Sequence, residues 1–133
     1  MKVVFNHIGD LKSVFSTNID CIVTKIDAKC LVSDLLYTDS CGSDKRTIES
    51  LSRMGVIEII SFDDNAMKDI FDLCNIYGNC VSPHDLFSIY IADVFDAKLI
   101  TSEEICIEKC KIIGVQTTSK FDLLNYLELN KTG

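Results

Sequence analysis

Short apolar segments alternate with segments of helical pattern along the chain, and this alternation limits the possible folds more than any other feature of the sequence. Five segments are almost uniformly apolar and are bounded by polar residues, as buried strands are. They are Val3–Phe5, Cys30–Val32, Val56–Phe62, Lys98–Thr101 and Gly114–Thr117. Apolar strands separated by helices are typical of a parallel sheet covered on both faces. We therefore expect an α/β fold, a three-layer α/β/α sandwich with a short, mainly parallel sheet.

The segments between these strands carry apolar residues at helical spacing, and several have helix start signals. The sharpest start is Ser82-Pro83-His84-Asp85, in which Ser82 is an N-cap, Pro83 takes the first helical position and Asp85 resembles the acidic partner of a capping box. Residues 38–46 are rich in turn-forming residues and predict a loop. The predicted helices cover residues 10–25 with a break near 16–18, 47–54, 103–112 (capped by Thr101 or Ser102) and 121–129, and others begin near residues 34, 64 and 83.

Length and charge exclude several classes of protein. The 133 residues have the length of one domain and contain no linker, so we expect a single domain over residues 1–133. Thirteen basic against twenty acidic residues give a net charge of −7, which argues against a general binder of nucleic acid or anionic lipid. Neither a signal peptide nor a membrane span is apparent, and we expect a cytoplasmic protein with no membrane contact.

The cysteines suggest little specific chemistry. There are seven, with irregular spacing and no C-x-x-C motif. Cys106 and Cys110 are four residues apart and share a helix face, so a thiolate metal site is one interpretation of this pair. Buried thiols that pack as small apolar side chains are the other interpretation, and the one that we favour.

Acidic residues follow several of the predicted strands, and these positions are the main functional signal. The fourth strand leads into Glu103, the second into Asp34 and Asp39, the first ends at Asn6, and Asp85 lies in the first turn of an apolar helix. In open parallel sheets the ligand crevice lies at the carboxyl ends of the strands. Carboxylates gathered there repel one another unless a hard cation such as Mg²⁺ or Mn²⁺ is bound, and such an ion can promote hydrolysis. Each residue taken alone is also explained by a helix cap or a solvated surface, so this hypothesis rests on the set.

The order and spacing of residues 55–124 resemble the PIN-domain family. Its members show an S-x-x-D helix start, an apolar helix, an L-[LI]-T-x-D strand end and a G-[IV]-x-V strand, and this chain has Ser82–Asp85, Leu99–Glu103 and Gly114–Val115 at those places. The N-terminal part is similar but matches more weakly. Met1–Phe5 corresponds to the opening strand, and Val32–Leu36 to the second strand and the helix after it.

This resemblance implies a metal-dependent ribonuclease that hydrolyses RNA phosphodiester bonds with Mg²⁺ or Mn²⁺. Many small members are the toxin half of a toxin–antitoxin pair, so an antitoxin protein is the implied partner. Asp85 matches the central aspartate of the family, and Glu103 falls at the aspartate of T-x-D. Asp39 stands in for the glutamate on the helix after strand two, with Asp34 as its rival. The implied metal ligands are thus Asp85, Glu103 and Asp39, with Asn6 as an uncharged fourth.

Asn6 is the main departure from the family pattern. The family opens its site with D-[TS]-[NS], where this chain has Asn6-His7-Ile8. Losing a carboxylate weakens the affinity for a hard ion, and Asp10, one helical turn further along, is the residue that could compensate. A second hypothesis is therefore a catalytically impaired PIN-like domain that acts as a binding or regulatory module. A phosphoacceptor receiver domain ranks lower, since it needs paired carboxylates after strand one.

Two further expectations concern the surface. Lys45 and Arg46, placed on the predicted loop, would contact backbone phosphates, so that RNA could enter the site despite the negative charge of the protein. An apolar helix face formed by Leu11, Val14 and Phe15 would serve either as the interface of a homodimer or as part of the core.

Overall fold

The computed structural model describes residues 2–25 and 29–131, with side chains for residues 2–16 and 29–126. Met1, assigned above to the opening strand, lies outside this part. Twelve elements follow one another in these residues. They are β1 (Lys2–Phe5), α1 (Ile8–Lys25), β2 (Lys29–Ser33), α2 (Asp34–Asp39), α3 (Gly42–Arg53), β3 (Ile57–Ile60), α4 (Asp64–Tyr77), α5 (Pro83–Phe95), β4 (Lys98–Ile100), α6 (Glu104–Ile113), β5 (Thr117–Thr118) and α7 (Lys120–Lys131).

The five strands form one sheet in the order β3-β2-β1-β4-β5, and every neighbouring pair is parallel. The chain moves outward from β1 in one direction through β2 and β3, then returns to the other side of β1 with β4. The strand order therefore reverses between β1 and β4, and a crevice opens at their carboxyl ends. This topology confirms the predicted α/β fold with a parallel sheet.

The side chains of the sheet alternate between two apolar layers, because successive strand residues point to opposite faces. On β1, Val3 and Phe5 pack into the layer formed with α1, α2, α3 and α7, while Val4 packs into the layer formed with α5 and α6. All three side chains are fully buried. Burial on both faces explains why the strands have no polar alternation, and it confirms the three-layer arrangement.

Capping residues fix the start of α5, the helix that carries Asp85. The Ser82 hydroxyl accepts a hydrogen bond from the Asp85 backbone N–H at 3.2 Å, and Pro83 occupies the first turn. These contacts confirm the predicted helix start. The prediction that the Asp85 side chain completes a capping box was wrong, because this side chain is hydrogen-bonded to Asn6, the residue after β1. That partner lies 79 residues away in the sequence.

The expected loop over residues 38–46 was also wrong. Only Ser40 and Cys41 separate α2 from α3. The polar residues at the start of α3 predict a loop when this segment is considered alone. In the structure, however, Asp44 lies near the N-terminus of α3, where an acidic residue is favourable, and it pairs with Lys12 at 2.9 Å. The buried side chains of Ile48 and Leu51 then hold α3 against the sheet.

Two other details of α1 and α6 differ from expectation. Helix α1 runs without the break expected near residues 16–18. Leu11, Val14 and Phe15 are buried in the core, so this face is not a dimer interface. The N-cap of α6 is Glu103, which makes no side-chain capping bond, whereas the expected caps Thr101 and Ser102 lie before it; the Thr101 hydroxyl accepts from the Glu103 N–H at 3.2 Å. Among the described residues, no helix combines the length and the apolar character needed to cross a membrane.

Candidate functional site

The candidate site lies where the strand order reverses. Asn6 directly follows β1, Glu103 comes three residues after the end of β4, and Asp85 projects from the first turn of α5 towards both. These three residues come from distant parts of the sequence, and the parallel sheet brings them to one edge. The structure thus places together three of the residues that the sequence singled out.

A buried chain of hydrogen bonds forms the floor of the site. The Asn6 amide nitrogen donates to Oδ1 of Asp85, and the Ser88 hydroxyl donates to the Asn6 amide oxygen at 2.8 Å. All three side chains are at most 3% exposed. A buried carboxylate is costly unless hydrogen bonds satisfy it, and the Asn6 amide supplies one such hydrogen bond to Asp85. Ser88 in turn fixes the amide with its nitrogen facing Asp85.

A more exposed pair lies above this floor. His7 Nε2 is 3.1 Å from Oε1 of Glu103, and both side chains are about half exposed. His7 Nε2 and one oxygen each from Glu103 and Asp85 lie within 4.8 Å of one another. Two carboxylates and an imidazole at this spacing form a donor set that fits a divalent cation.

Asp39 lies outside this cluster. Its carboxylate is 2.7 Å from Nε2 of His84, the residue before Asp85 on α5. The ion pair ties the end of α2 to the helix turn that carries Asp85, so Asp39 lies at the edge of the site. Asp34, its rival in the sequence, is the first residue of α2 and lies at the other end of that helix. Asp10 is 3.8 Å from Lys120 and is engaged by the C-terminal helix.

The two basic residues expected to contact RNA lie on α3, since the predicted loop is helical. The Lys45 ammonium lies 4.8 Å from the centre of the Tyr37 ring, a cation–π distance. Arg46 lines a cavity of about 520 Å³ between α1 and α3, together with Lys12 and Met54.

Two thiols lie beneath the acidic residues. Cys106 and Cys110 are fully buried on the inner face of α6. The hydrogen bond between them lowers the pKa of Cys106 and raises that of Cys110, and the nearby Asp85 carboxylate acts to raise both. Both side chains belong to the apolar layer of α5 and α6. This environment supports the interpretation of these cysteines as packed apolar groups.

Two members of the site were not identified from the sequence. His7 appears in the sequence analysis only as part of the altered motif Asn6-His7-Ile8, and Ser88 is not among its candidate residues. Ser88 did carry a signal, because it lies three residues after Asp85 and so shares its helix face. A single hydroxyl on an otherwise buried apolar face requires a polar partner, and here the partner is Asn6.

Comparison with known proteins identifies the fold. No protein-family model and no curated protein sequence matches the chain. Solved structures do match it. A PilT N-terminus domain protein from the hyperthermophilic archaeon Sulfolobus solfataricus P2 is similar at a TM-score of 0.60 and 18% identity, covering 96% of this chain and 93% of that one.

Two VapBC structures are similar as well. VapBC-1 from nontypeable Haemophilus influenzae is similar at a TM-score of 0.58 and 14% identity. VapBC2 from Rickettsia felis, in a structure bound to a promoter DNA fragment, is similar at a TM-score of 0.55 and 13% identity. Each match covers 90% of this chain and 98% of the other. At these identities the likeness shows the fold, which is that of a PilT N-terminus, or PIN, domain. The PIN-like fold expected from the sequence is confirmed.

Proposed function

We propose that this protein is a metal-dependent ribonuclease of the PIN type that hydrolyses RNA phosphodiester bonds. The observation that carries the proposal is the Asp85 carboxylate, which is only 3% exposed yet faces the crevice at the carboxyl ends of β1 and β4. Structural roles alone explain it poorly, since the backbone N–H of Asp85, and not its carboxylate, takes part in capping α5. A buried acid at a strand-order reversal, beside a second acid, is the arrangement of a site that binds a charged ligand.

Asp85 and Glu103 would hold a Mg²⁺ or Mn²⁺ ion, with Asn6 directly beneath Asp85 and Asp39 at the edge of the site. The donor set fits such an ion, because carboxylate oxygens are the ligands that both ions accept. When bound, the ion would supply a nucleophilic water at neutral pH and neutralise charge on the phosphate.

The remaining residues position these groups and the substrate. Asn6 holds Asp85 in one orientation from below, so its carboxylate needs little rearrangement when a ligand arrives. Glu103 is about half exposed and accessible to a phosphate in solution. Lys45 and Arg46 on α3 are the proposed contacts to the RNA backbone, since they place two positive charges side by side on a protein whose net charge is −7.

RNA cleavage by purified protein with Mn²⁺ tests the proposal. Asp85→Asn and Glu103→Gln should each lower the metal-stimulated rate by at least about a hundredfold, which is the loss expected for a group that acts in the transition state. Glu104→Gln is the matched control, since Glu104 is the exposed neighbour of Glu103 on α6 and lies outside the cluster. Unchanged cleavage by folded Asp85→Asn would contradict the proposal.

One observation favours a second function, that of a PIN-like binding or regulatory module without catalysis. The family places a carboxylate at the position of Asn6, whereas here an uncharged amide donates a hydrogen bond to the Asp85 carboxylate. RNA that binds to the wild-type protein but stays intact at saturating Mn²⁺ would support this module and exclude the ribonuclease.

We also propose that the ribonuclease acts as the toxin of a toxin–antitoxin pair, with an antitoxin protein as its partner. The sequence resemblance implies this role, and two of the similar structures are VapBC assemblies. Induced expression in a bacterium should arrest growth, and Asp85→Asn should abolish the arrest. Coexpression of the protein encoded beside this chain should restore growth; normal growth with wild-type protein alone would contradict the toxin role.

A further inference from the structure

The site contains a nitrogen donor that the acidic motif does not include. His7 occupies the position at which the family motif has Thr or Ser, directly after Asn6 and two residues beyond the end of β1. Its Nε2 faces the cluster and lies 3.1 Å from Oε1 of Glu103. The imidazole is about half exposed, so no packing requirement holds it there.

The spacing of the three donor atoms is close to that of ligands on one ion. Two adjacent ligands, each about 2.1 Å from an octahedral ion, lie about 3.0 Å apart, and opposite ligands lie about 4.2 Å apart. The 3.1 Å between His7 and Glu103 matches the adjacent case. The 4.8 Å limit that contains all three atoms leaves only a small adjustment for Asp85 to complete the set.

The charge of the cluster also bears on the choice of ion. Asn6 contributes no charge, and its amide oxygen already accepts from Ser88 at 2.8 Å. Two carboxylates and one imidazole therefore remain in the cluster. Affinity for Mg²⁺ depends on oxygen ligands and their charge, whereas imidazole favours transition-metal ions, with affinity rising from Mn²⁺ to Co²⁺.

We propose that His7 is a metal ligand and that the site consequently binds transition-metal ions, with Co²⁺ and Mn²⁺ preferred over Mg²⁺. This inference rests on the proposed function for the presence of a metal at the site, and it deepens that function by naming the class of ion. His7, Asp85 and Glu103 then form a three-ligand set of one nitrogen and two oxygens.

Binding of the metals alone to the full-length protein tests the inference. Calorimetry should give an affinity order of Co²⁺ over Mn²⁺ over Mg²⁺, and His7→Ala should reduce the ratio of Co²⁺ to Mg²⁺ affinity by at least about tenfold. Pulsed electron paramagnetic resonance of bound Mn²⁺ should detect a coupled imidazole nitrogen that His7→Ala removes. Because His7 is exposed, the variant should unfold at the same temperature as the wild type.

His84→Ala is the matched control. His84 is the other histidine of the chain, pairs with a carboxylate at 2.7 Å and neighbours Asp85, but lies outside the cluster. This variant should keep both the affinity ratio and the nitrogen signal.

The outcomes separate this inference from the proposed function. An unchanged affinity ratio and nitrogen signal in His7→Ala would overturn the inference and show that His7 and Glu103 form only an ion pair. Failure of the wild type to bind any of the three ions would overturn it as well. Binding that depends on His7, in a protein that leaves RNA intact, would support the inference and contradict the ribonuclease.

Discussion

Asn6→Asp restores the carboxylate of the family motif, and its effect on stability can be worked out from the structure. In the wild type, the Asn6 amide donates to the Asp85 carboxylate, and both groups are at most 3% exposed. Aspartate at position 6 cannot donate to Asp85 when ionised. The substitution therefore removes a hydrogen bond to a charged group and places two buried carboxylates in contact.

The cost has two parts. A hydrogen bond to a charged group contributes about 1.5–3 kcal/mol to stability. Two carboxylates about 4 Å apart repel by about 4 kcal/mol at an effective dielectric constant near 20, and relaxation of the side chains relieves part of that. We expect Asn6→Asp to lower the free energy of unfolding by about 4 kcal/mol, which for a chain of this size lowers Tm by roughly 12 °C.

Divalent metal should reverse this loss, because an ion between the two carboxylates converts their repulsion into ligation. Mn²⁺ at a hundred times its Kd would restore about 2.7 kcal/mol. Thermal unfolding of Asn6→Asp with and without Mn²⁺ measures both effects. The control is Asn6→Ala, which loses the hydrogen bond but adds no charge, and it should gain less from Mn²⁺. The reasoning would be refuted if metal-free Asn6→Asp were as stable as the wild type, or if Mn²⁺ stabilised both variants equally.

Two further predictions concern other buried groups. Ser88→Ala should lower the free energy of unfolding in urea by about 1–2 kcal/mol, because it leaves the buried amide oxygen of Asn6 without its donor; an unchanged urea midpoint would contradict this. Burial raises the pKa of Cys30 to about 12, so its reactive thiolate is scarce at pH 8. Alkylation of the native protein at that pH, mapped by mass spectrometry, should modify the exposed Cys41 and Cys80 and spare Cys30, and rapid modification of Cys30 would disprove its burial.

The fold could be predicted from the sequence because its signals are local and agree with one another. A strand such as Val3–Phe5 is apolar at every position, and Ser82-Pro83 sets the start of α5 through hydrogen bonds within one turn. The loop predicted over residues 38–46 was wrong because the helix that forms there depends on contacts with distant residues. Lys12 pairs with Asp44, and the sheet buries Ile48, and neither contact can be read from the segment itself.

The sequence predicted which residues lie at the site but not which contacts they make with one another. Strand ends identified Asn6 and Glu103, because parallel strands end at a common edge, and the start of α5 identified Asp85. The pattern could not show that Asn6 donates to Asp85, nor that His7 turns towards Glu103. Those interactions depend on side-chain direction at residues about 80 to 100 positions apart. The sequence therefore located the acids without giving their partners.

Asn6 and Ser88 are best understood as one structural unit, and this unit would change how much a bound metal contributes to the folding stability of the protein. A site with a carboxylate at position 6 would be strained without its ion, so part of the binding energy of the metal would be folding energy. Here the amide satisfies Asp85, and Ser88 satisfies the amide, so the floor of the site is stable with no ion bound. A bound metal would then gain less from relief of repulsion than in a site with a third carboxylate, and its affinity would depend more on the exposed groups His7 and Glu103. Occupancy of the site should follow the free concentration of the ion more closely than in a site closed by three carboxylates.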